Sequence, residues 1–127
     1  MSSTSDTPLL REILKQMLVA CSRIERRFIG IESPDDFLSN DAGIDKLDGI
    51  TMMLIALGES IKRFEKKGGK YLLEQTQHID WKGIKGTRDV LSHRYFDVDV
   101  EIVYAICSSH IEPIKQAFLS FLETLES

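Results

Sequence analysis

The sequence lacks several features that mark specialised classes of protein. Its 127 residues include only two cysteines, Cys21 and Cys107, which stand far apart without the close spacing of a metal site. This usage predicts a reduced, cytoplasmic protein whose two thiols lie in the core. No run of about 18 apolar residues is present, so we expect no membrane span and no membrane partner. The opening residues, "MSSTSDTP", lack the basic end and apolar run of a secretory signal.

The sequence also lacks the patterns of β-structure and of repeat proteins. No segment keeps up an alternation of apolar and polar residues, which is the mark of a half-buried strand. The short run "FDVDVEIV" could pass for a strand, but its place between a helix end and a helix cap favours an extended linker. The length, without repeats or long linkers, predicts one domain over residues 1–127, which is enough chain to bury a core.

Apolar residues instead recur at steps of three and four, which is the spacing of one face of a helix. The first stripe runs through residues 9–28, with Pro8 near the first helical position and an end near Gly30. The second stripe runs through residues 44–64, and Gly68-Gly69 is predicted to stop that helix. Both segments are long enough to form main helices of a bundle.

Three further segments are predicted to be helical. "SPDDFL" reads as a short helix or turn capped by Ser33, and Asp80 is predicted to cap the segment that follows it. The last segment begins after a cap at Asp99 and should kink at Pro113, which removes one backbone hydrogen bond. The residues of the middle segment expected to point inward are Ile84, Val90 and Leu91. The chain is therefore predicted to be an all-α antiparallel bundle of about four main helices plus short helices.

Charge is spread unevenly along the chain. Residues 61–94 contain nine Lys or Arg and four acids, so this span carries +5 in a molecule whose net charge is −4. The whole molecule repels nucleic acid, and any binding of RNA must come from this local basic sector. Lysines near helix ends are also commonly just solvated, so the charge alone leaves both interpretations open.

The stretch "RDVLSHRYF", residues 88–96, concentrates side chains that suit phosphate chemistry. If it is helical, Asp89 stacks on His93 four residues later and orients the imidazole, whose other nitrogen can act as base or acid. Arg88, on nearly the same line as Tyr95, has a fork that fits two phosphate oxygens. These groups form half of a metal-free ribonuclease, and a second copy in a symmetric dimer would supply the missing proton donor. The alternative is that they decorate a solvated helix end, with Tyr95 lying flat on the bundle.

The order of Arg88, four residues, His93, one residue and Tyr95 resembles the R-x-x-x-x-H-x-Y signature of the HepT toxins, which belong to the HEPN superfamily of helical nucleases. The flanking "HIDWKGIKGTRDVLSHRYFDVD" and the mid-chain "ALGESIKRF" are also similar to the family's sequences. The resemblance implies a homodimer whose paired motifs line a shared cleft. It also implies a prokaryotic protein located in the cytoplasm. It implies RNA cleavage without a metal or a cofactor.

The resemblance also implies a partner. HepT toxins of type VII toxin–antitoxin systems are commonly encoded beside MntA, a minimal nucleotidyltransferase antitoxin that transfers AMP from ATP to the motif tyrosine, here Tyr95. Asp89 departs from the Asn that the family mostly has after the arginine. An acid there would raise the pKa of His93 and partly offset the charge of Arg88. One alternative function is an inactive helical module that binds the nucleotidyltransferase or a nucleotide, and another is a purely structural dimer.

The remaining polar candidates each have two interpretations. Glu59 could pair with Arg88 across helices and orient it, or serve an ordinary salt bridge. Lys85 and Arg94 could contact RNA, or be plain surface.

The other two histidines, His78 and His110, lack the ligand spacing of a metal site, so no metal is expected. His78 could touch substrate or merely face solvent. His110 is expected to pack or to cap a helix near the Pro113 kink.

Overall fold

A computed structural model describes residues 3–91 and 98–126 of the chain. Within these residues the fold consists of seven α-helices and no strands, which confirms the all-α prediction. The helices are α1 (Ser3–Phe28), α2 (Asp41–Phe64), α3 (Lys70–Glu74), α4 (Trp81–Lys85), α5 (Thr87–Leu91), α6 (Val100–Ser109) and α7 (Ile111–Glu126). A 3₁₀ turn, Pro34–Leu38, precedes α2, and a π-helical turn, Glu65–Gly69, follows it. The candidate residues His93, Arg94 and Tyr95 lie outside the described residues.

The long helices pack side by side as an antiparallel bundle. Near the start of α1, Arg11 Nη1 donates to the carbonyl of Leu125 at 3.2 Å, while Glu25 near its end pairs with Lys115 Nζ at 3.0 Å, so α1 and α7 run in opposite directions. Lys46 Nζ donates to the carbonyl of Ile29 at 2.7 Å, which ties the start of α2 to the end of α1. None of the described helices is both long and apolar enough to cross a bilayer.

An aromatic cluster fixes the short helix α4 against α7. Trp81, at the first position of α4, stacks on Phe118 with ring centroids 5.7 Å apart and lies 6.2 Å from Phe121. Its indole nitrogen donates to Thr76 Oγ1 at 3.0 Å, so the polar atom of a mostly buried ring is satisfied. Asp80 caps the helix as predicted, by accepting from the backbone N–H of Gly83 at 3.0 Å. The tryptophan before the motif is therefore a structural anchor.

Several predicted boundaries are wrong. The first helix begins at Ser3, so Pro8 lies inside it, where its missing N–H removes one helical bond. The second helix ends at Phe64, before the glycine pair, because Gly68 adopts φ 117° and the turn around it is π-helical. The interruption predicted for the last segment is present, as a break at His110, three residues before Pro113, where proline cannot donate to the carbonyl four residues earlier and its ring clashes.

The middle segment also differs from its prediction. It is broken at Gly86 into α4 and α5, and this break rotates the residues that follow. Ile84 and Leu91 are buried as expected, but Val90 is 54% exposed, so its predicted inward position is wrong. Asp99 caps α6 as predicted, by accepting from the N–H groups of Glu101 at 3.0 Å and Ile102 at 3.3 Å.

Candidate active site

The start of the motif is positioned by a close contact between the backbones of α2 and α4. Gly58 of α2 faces the end of α4, and a Cβ added at Gly58 would lie 2.7 Å from the carbonyl oxygen of Ile84. Any other residue type at this position would hold the two helices apart. The glycine therefore places α4 directly against α2, and with it the start of α5.

A buried hydroxyl then turns the chain from α4 into α5. Thr87 is only 4% exposed, and its Oγ1 donates to the carbonyl of Ile84 at 2.7 Å. The backbone N–H of Gly86 donates to the carbonyl of Lys82 at 3.1 Å, which closes the end of α4. These bonds satisfy carbonyls at a helix end and fix the direction in which the next residue, Arg88, leaves the bundle. Thr87 was not among the residues predicted from the sequence.

Arg88 is tied to α2 by the carboxylate next to Gly58. Arg88 Nη1 lies 3.8 Å from Glu59 Oε2, and Lys62 Nζ lies 3.3 Å from the same oxygen. The structure thus shows the cross-helix pairing of Glu59 and Arg88 that the sequence left as one of two alternatives. The side chain of Arg88 is 58% exposed, and exposed ion pairs contribute little to stability. The pair leaves the guanidinium open to solvent.

Lys85 points to a different carboxylate. Its Nζ lies 2.8 Å from Glu65 Oε1, so the end of α4 is tied to the π-helical turn after α2. Asp89 is exposed on α5. Whether Asp89 contacts His93, and where Arg94 and Tyr95 lie, stays a prediction, because these partners fall outside the described residues. The structure thus brings Glu59, Lys62 and Arg88 together, with Lys85 and Glu65 forming a second pair.

The described part of the chain holds no group of three or more His, Cys, Asp or Glu side chains arranged to bind a metal ion. Both cysteines are shielded: burial raises the pKa of Cys21 and of Cys107 from 9.0 to about 12. Thiols with such pKa values are protonated at neutral pH and are poor nucleophiles. Cys21 lies in the core, and Cys107 packs against it.

A cavity of about 490 Å³ is the feature that sequence reasoning missed. It lies between residues 78–84, at the start of α4, and residues 106–114, where α6 meets α7. His78 and His110 both line it, although they are 32 residues apart in the sequence. His110 directly precedes the start of α7, whereas His78 lies three residues before the start of α4, so no shared local signal marks the cavity in the sequence. His110 also caps the end of α6, as one of its two interpretations had it.

Comparison with known proteins identifies the family. The sequence model described as "HepT-like: Ribonuclease HepT-like" matches residues 17–121, which include α2, the aromatic anchor and the whole motif. The chain belongs to the HepT-like ribonuclease family. No solved structure matches it.

Similar proteins carry related names. A protein of Methanocaldococcus jannaschii named "Putative RNase" is 34% identical over 73 residues, covering 58% of this chain and 60% of that protein. One of Caldanaerobacter subterraneus subsp. tengcongensis, also named "Putative RNase", is 26% identical over 113 residues, covering 89% of this chain and 94% of its own length. A third, "Gamma-glutamylcyclotransferase and putative RNase" of M. jannaschii, is 28% identical over 79 residues, covering 62% of this chain and 34% of that protein. The chain therefore spans less than two thirds of the length of two of these three relatives.

Proposed function

We propose that this chain is the toxin of a type VII toxin–antitoxin system and that it cleaves RNA without a metal. The observation that carries the proposal is the guanidinium of Arg88. It is exposed on α5, paired with Glu59 of α2, and stands at the first position of the arginine–histidine motif in a chain that belongs to the HepT-like ribonuclease family. An exposed but positioned arginine is what recognition of a phosphate diester needs.

The proposed reaction uses the ribose of the RNA as its own nucleophile. His93 accepts the proton of a 2′-hydroxyl, and the resulting oxygen attacks the adjacent phosphorus. A bond forms between O2′ and phosphorus, the bond from phosphorus to O5′ breaks, and the departing O5′ receives a proton. Arg88 stabilises the charge on the crowded phosphorus, and Asp89 orients the imidazole. The products are a 2′,3′-cyclic phosphate and a free 5′-hydroxyl.

The proton for O5′ comes, in this proposal, from a second copy of the chain. Each copy carries one motif histidine, and in a symmetric dimer two copies of His93 would face one cleft. Val90 supports a contact beside the motif, because it is 54% exposed on the same short helix as Arg88. Substitution of this side chain tests whether a second copy covers it.

The basic sector supplies the affinity for the RNA backbone. Lys66, Lys67, Lys70 and Lys82 are exposed on the π-helical turn, α3 and α4, close in sequence to the motif helix. Their charge is screened by salt, so RNA binding should weaken as the ionic strength rises. Lys85 and Arg94 are proposed as further contacts to the strand.

Cleavage of a single-stranded RNA by the purified chain in the presence of EDTA tests the ribonuclease. We expect cleavage products that end in a cyclic phosphate, and we expect Arg88→Ala and His93→Ala to lower the rate by about 100- to 1,000-fold. Arg23→Ala is the control, since Arg23 is an exposed arginine on α1. Wild-type protein that neither cleaves RNA nor slows the growth of its host, with His93→Ala behaving identically, would leave the inactive binding module as the better account.

The second part of the proposal is inactivation by an MntA-like nucleotidyltransferase. The phenol oxygen of Tyr95 attacks the α-phosphorus of ATP, pyrophosphate leaves, and the phenol gives up its proton. The attached AMP places negative charge and bulk beside His93, which blocks RNA. The intact mass of the chain made together with the enzyme should rise by one or more AMP units. The rise should vanish in Tyr95→Phe and persist in Tyr71→Phe, an exposed tyrosine on α3; a rise that survives Tyr95→Phe places the acceptor elsewhere.

A further inference from the structure

The cavity between α4 and the corner of α6 and α7 has the size and lining of a small-ligand site. Its volume of about 490 Å³ falls within the roughly 300–1,000 Å³ of such sites. Four isoleucines and a proline form most of its walls. The polar side chains that line it are His78, Asp80, Ser109 and His110. A mostly aliphatic cavity with a few polar groups suits a flat, uncharged ring whose edge forms hydrogen bonds.

The charges around the cavity argue against a phosphate inside it. None of the described residues that line it is a lysine or arginine, and Asp80 is an acid. Phosphates are held by permanent cations, so this lining repels the charged part of a nucleotide. Imidazoles, in contrast, are among the side chains on which unstacked RNA bases pack, and their nitrogens can bond to a base edge.

The carboxylate of Asp80 can also form a hydrogen bond to a nucleobase. Asp80 Oδ1 accepts from the N–H of Gly83 at 3.0 Å, which fixes the carboxylate at the start of α4. A carboxylate has lone pairs beyond that single bond, and it accepts well from the exocyclic amino group of a base. A base with an amino group therefore fits this lining better than one without.

The cavity is close to the proposed site of cleavage. Ile84 lines it and lies four residues before Arg88, so the chain between them spans at most about 14 Å. The bond from Thr87 Oγ1 to the carbonyl of Ile84 holds this connection compact. We propose that the cavity receives one unstacked base of a single-stranded RNA whose phosphate lies at Arg88. This inference rests on the proposed ribonuclease function, and it makes the cavity the element that selects which phosphate is cut.

Proton NMR of the imidazoles tests the binding directly, because the chain has only three histidines. AMP, CMP, GMP and UMP are titrated against the wild-type protein, with ribose 5-phosphate as a control that has the sugar and charge but no base. His78→Gln and His110→Gln assign the resonances. We expect both resonances to shift with at least one nucleotide and not with ribose 5-phosphate. No shift with any of the four nucleotides, or an equal shift with ribose 5-phosphate, overturns the proposal.

A pair of substitutions at neighbouring serines tests the link to RNA. Ser109 lines the cavity and Ser108 does not, and both are exposed near the end of α6. In a His93→Ala background, which prevents cleavage, Ser109→Trp should weaken binding of a single-stranded RNA of about ten nucleotides by about tenfold. Ser108→Trp should leave binding within about twofold of its parent. Equal binding by the two tryptophan variants contradicts the proposal.

The two proposals can fail separately. Shifts of His78 and His110 with a nucleotide, in a protein that does not cleave RNA, would support the cavity and end the ribonuclease proposal. Cleavage by the wild-type chain, with Ser109→Trp and Ser108→Trp equally active on RNA, would end the base-binding proposal alone.

Discussion

At the scale of single residues, the candidate site depends on one carboxylate shared by two cations. Glu59 Oε2 lies 3.3 Å from Lys62 Nζ and 3.8 Å from Arg88 Nη1. We expect Glu59→Gln to lower kcat for RNA cleavage by about tenfold, because Arg88 then loses the charge that orients it, and small misplacements of a catalytic group are costly. KM should change little, and the free energy of unfolding should change by less than about 1 kcal/mol, since the pair is exposed.

The control for Glu59→Gln is a substitution in a second ion pair, which joins α1 to α7. Glu25 of α1 pairs with Lys115 of α7 at 3.0 Å, and this pair is less exposed than the motif pair. Glu25→Gln should therefore leave kcat unchanged. Restoration of kcat by Glu59→Asp would support a positioning role that depends on charge, whereas equal kcat values for Glu59→Gln and the wild type would contradict it.

A buried thiol gives the protein a predictable response to high pH. Cys21 is fully buried, and burial raises its pKa from 9.0 to about 12. The folded state therefore binds a proton that the unfolded chain releases above pH 9, so this contribution to stability is present below pH 9 and is lost as the pH rises toward 12. Between pH 8 and 10.5 the wild type should lose on the order of 2 kcal/mol more unfolding free energy than Cys21→Ala. Chemical denaturation at both pH values measures the difference, and equal losses in the two proteins would show that the Cys21 thiol contributes nothing to it.

At the scale of elements, the spacing between α2 and α4 is set by Gly58. A methyl group there would meet the carbonyl of Ile84, which is backbone and cannot rotate away. We expect Gly58→Ala to destabilise the fold by about 1–3 kcal/mol and to lower cleavage, because α5 and Arg88 are displaced from Glu59. Thermal unfolding and an RNA cleavage assay measure the two effects.

Gly49 of the same helix provides the comparison. A methyl group there would meet Nε and Cδ of the Arg27 side chain, which can change its rotamer, whereas the backbone carbonyl met at Gly58 cannot. Gly49→Ala should therefore keep full activity and gain up to about 1 kcal/mol, because alanine favours a helix interior over glycine. A Gly58→Ala protein as stable and active as Gly49→Ala would show that close packing at Gly58 does not position the motif.

The elements also show which parts of the fold were predictable. The stripes of α1 and α2, and the caps at Asp80 and Asp99, were readable because periodicity and capping are local properties of the chain. The exposure of Val90 was not readable, because it depends on how α5 packs against the other helices, which are distant in sequence. The same reason hid the cavity, which forms only when residues 78–84 meet residues 106–114.

The site was predictable to a different degree. The type and spacing of Arg88, His93 and Tyr95 identified the family from a short motif, which the match over residues 17–121 confirms. Glu59 was named because a carboxylate at the end of an apolar stripe is unusual, but its choice of partner required the structure. Thr87 escaped notice, because a buried threonine and an exposed one look alike in a sequence.

At the scale of the whole molecule, the proposed chemistry requires two copies, and the surface offers a place to test the contact. Val90 of α5 is 54% exposed and stands two residues after Arg88. Ile29, the residue directly after α1, is 70% exposed and serves as the comparison. If a second copy covers Val90, Val90→Glu buries a charge at the contact and should shift the dimer toward monomer, with cleavage falling in parallel. Light scattering with an activity assay over a range of protein concentrations measures both.

Ile29→Glu should remain dimeric and active. A wild-type monomer at concentrations that cleave RNA would require a proton donor within the same chain, and dimers in both variants would place the contact on another face.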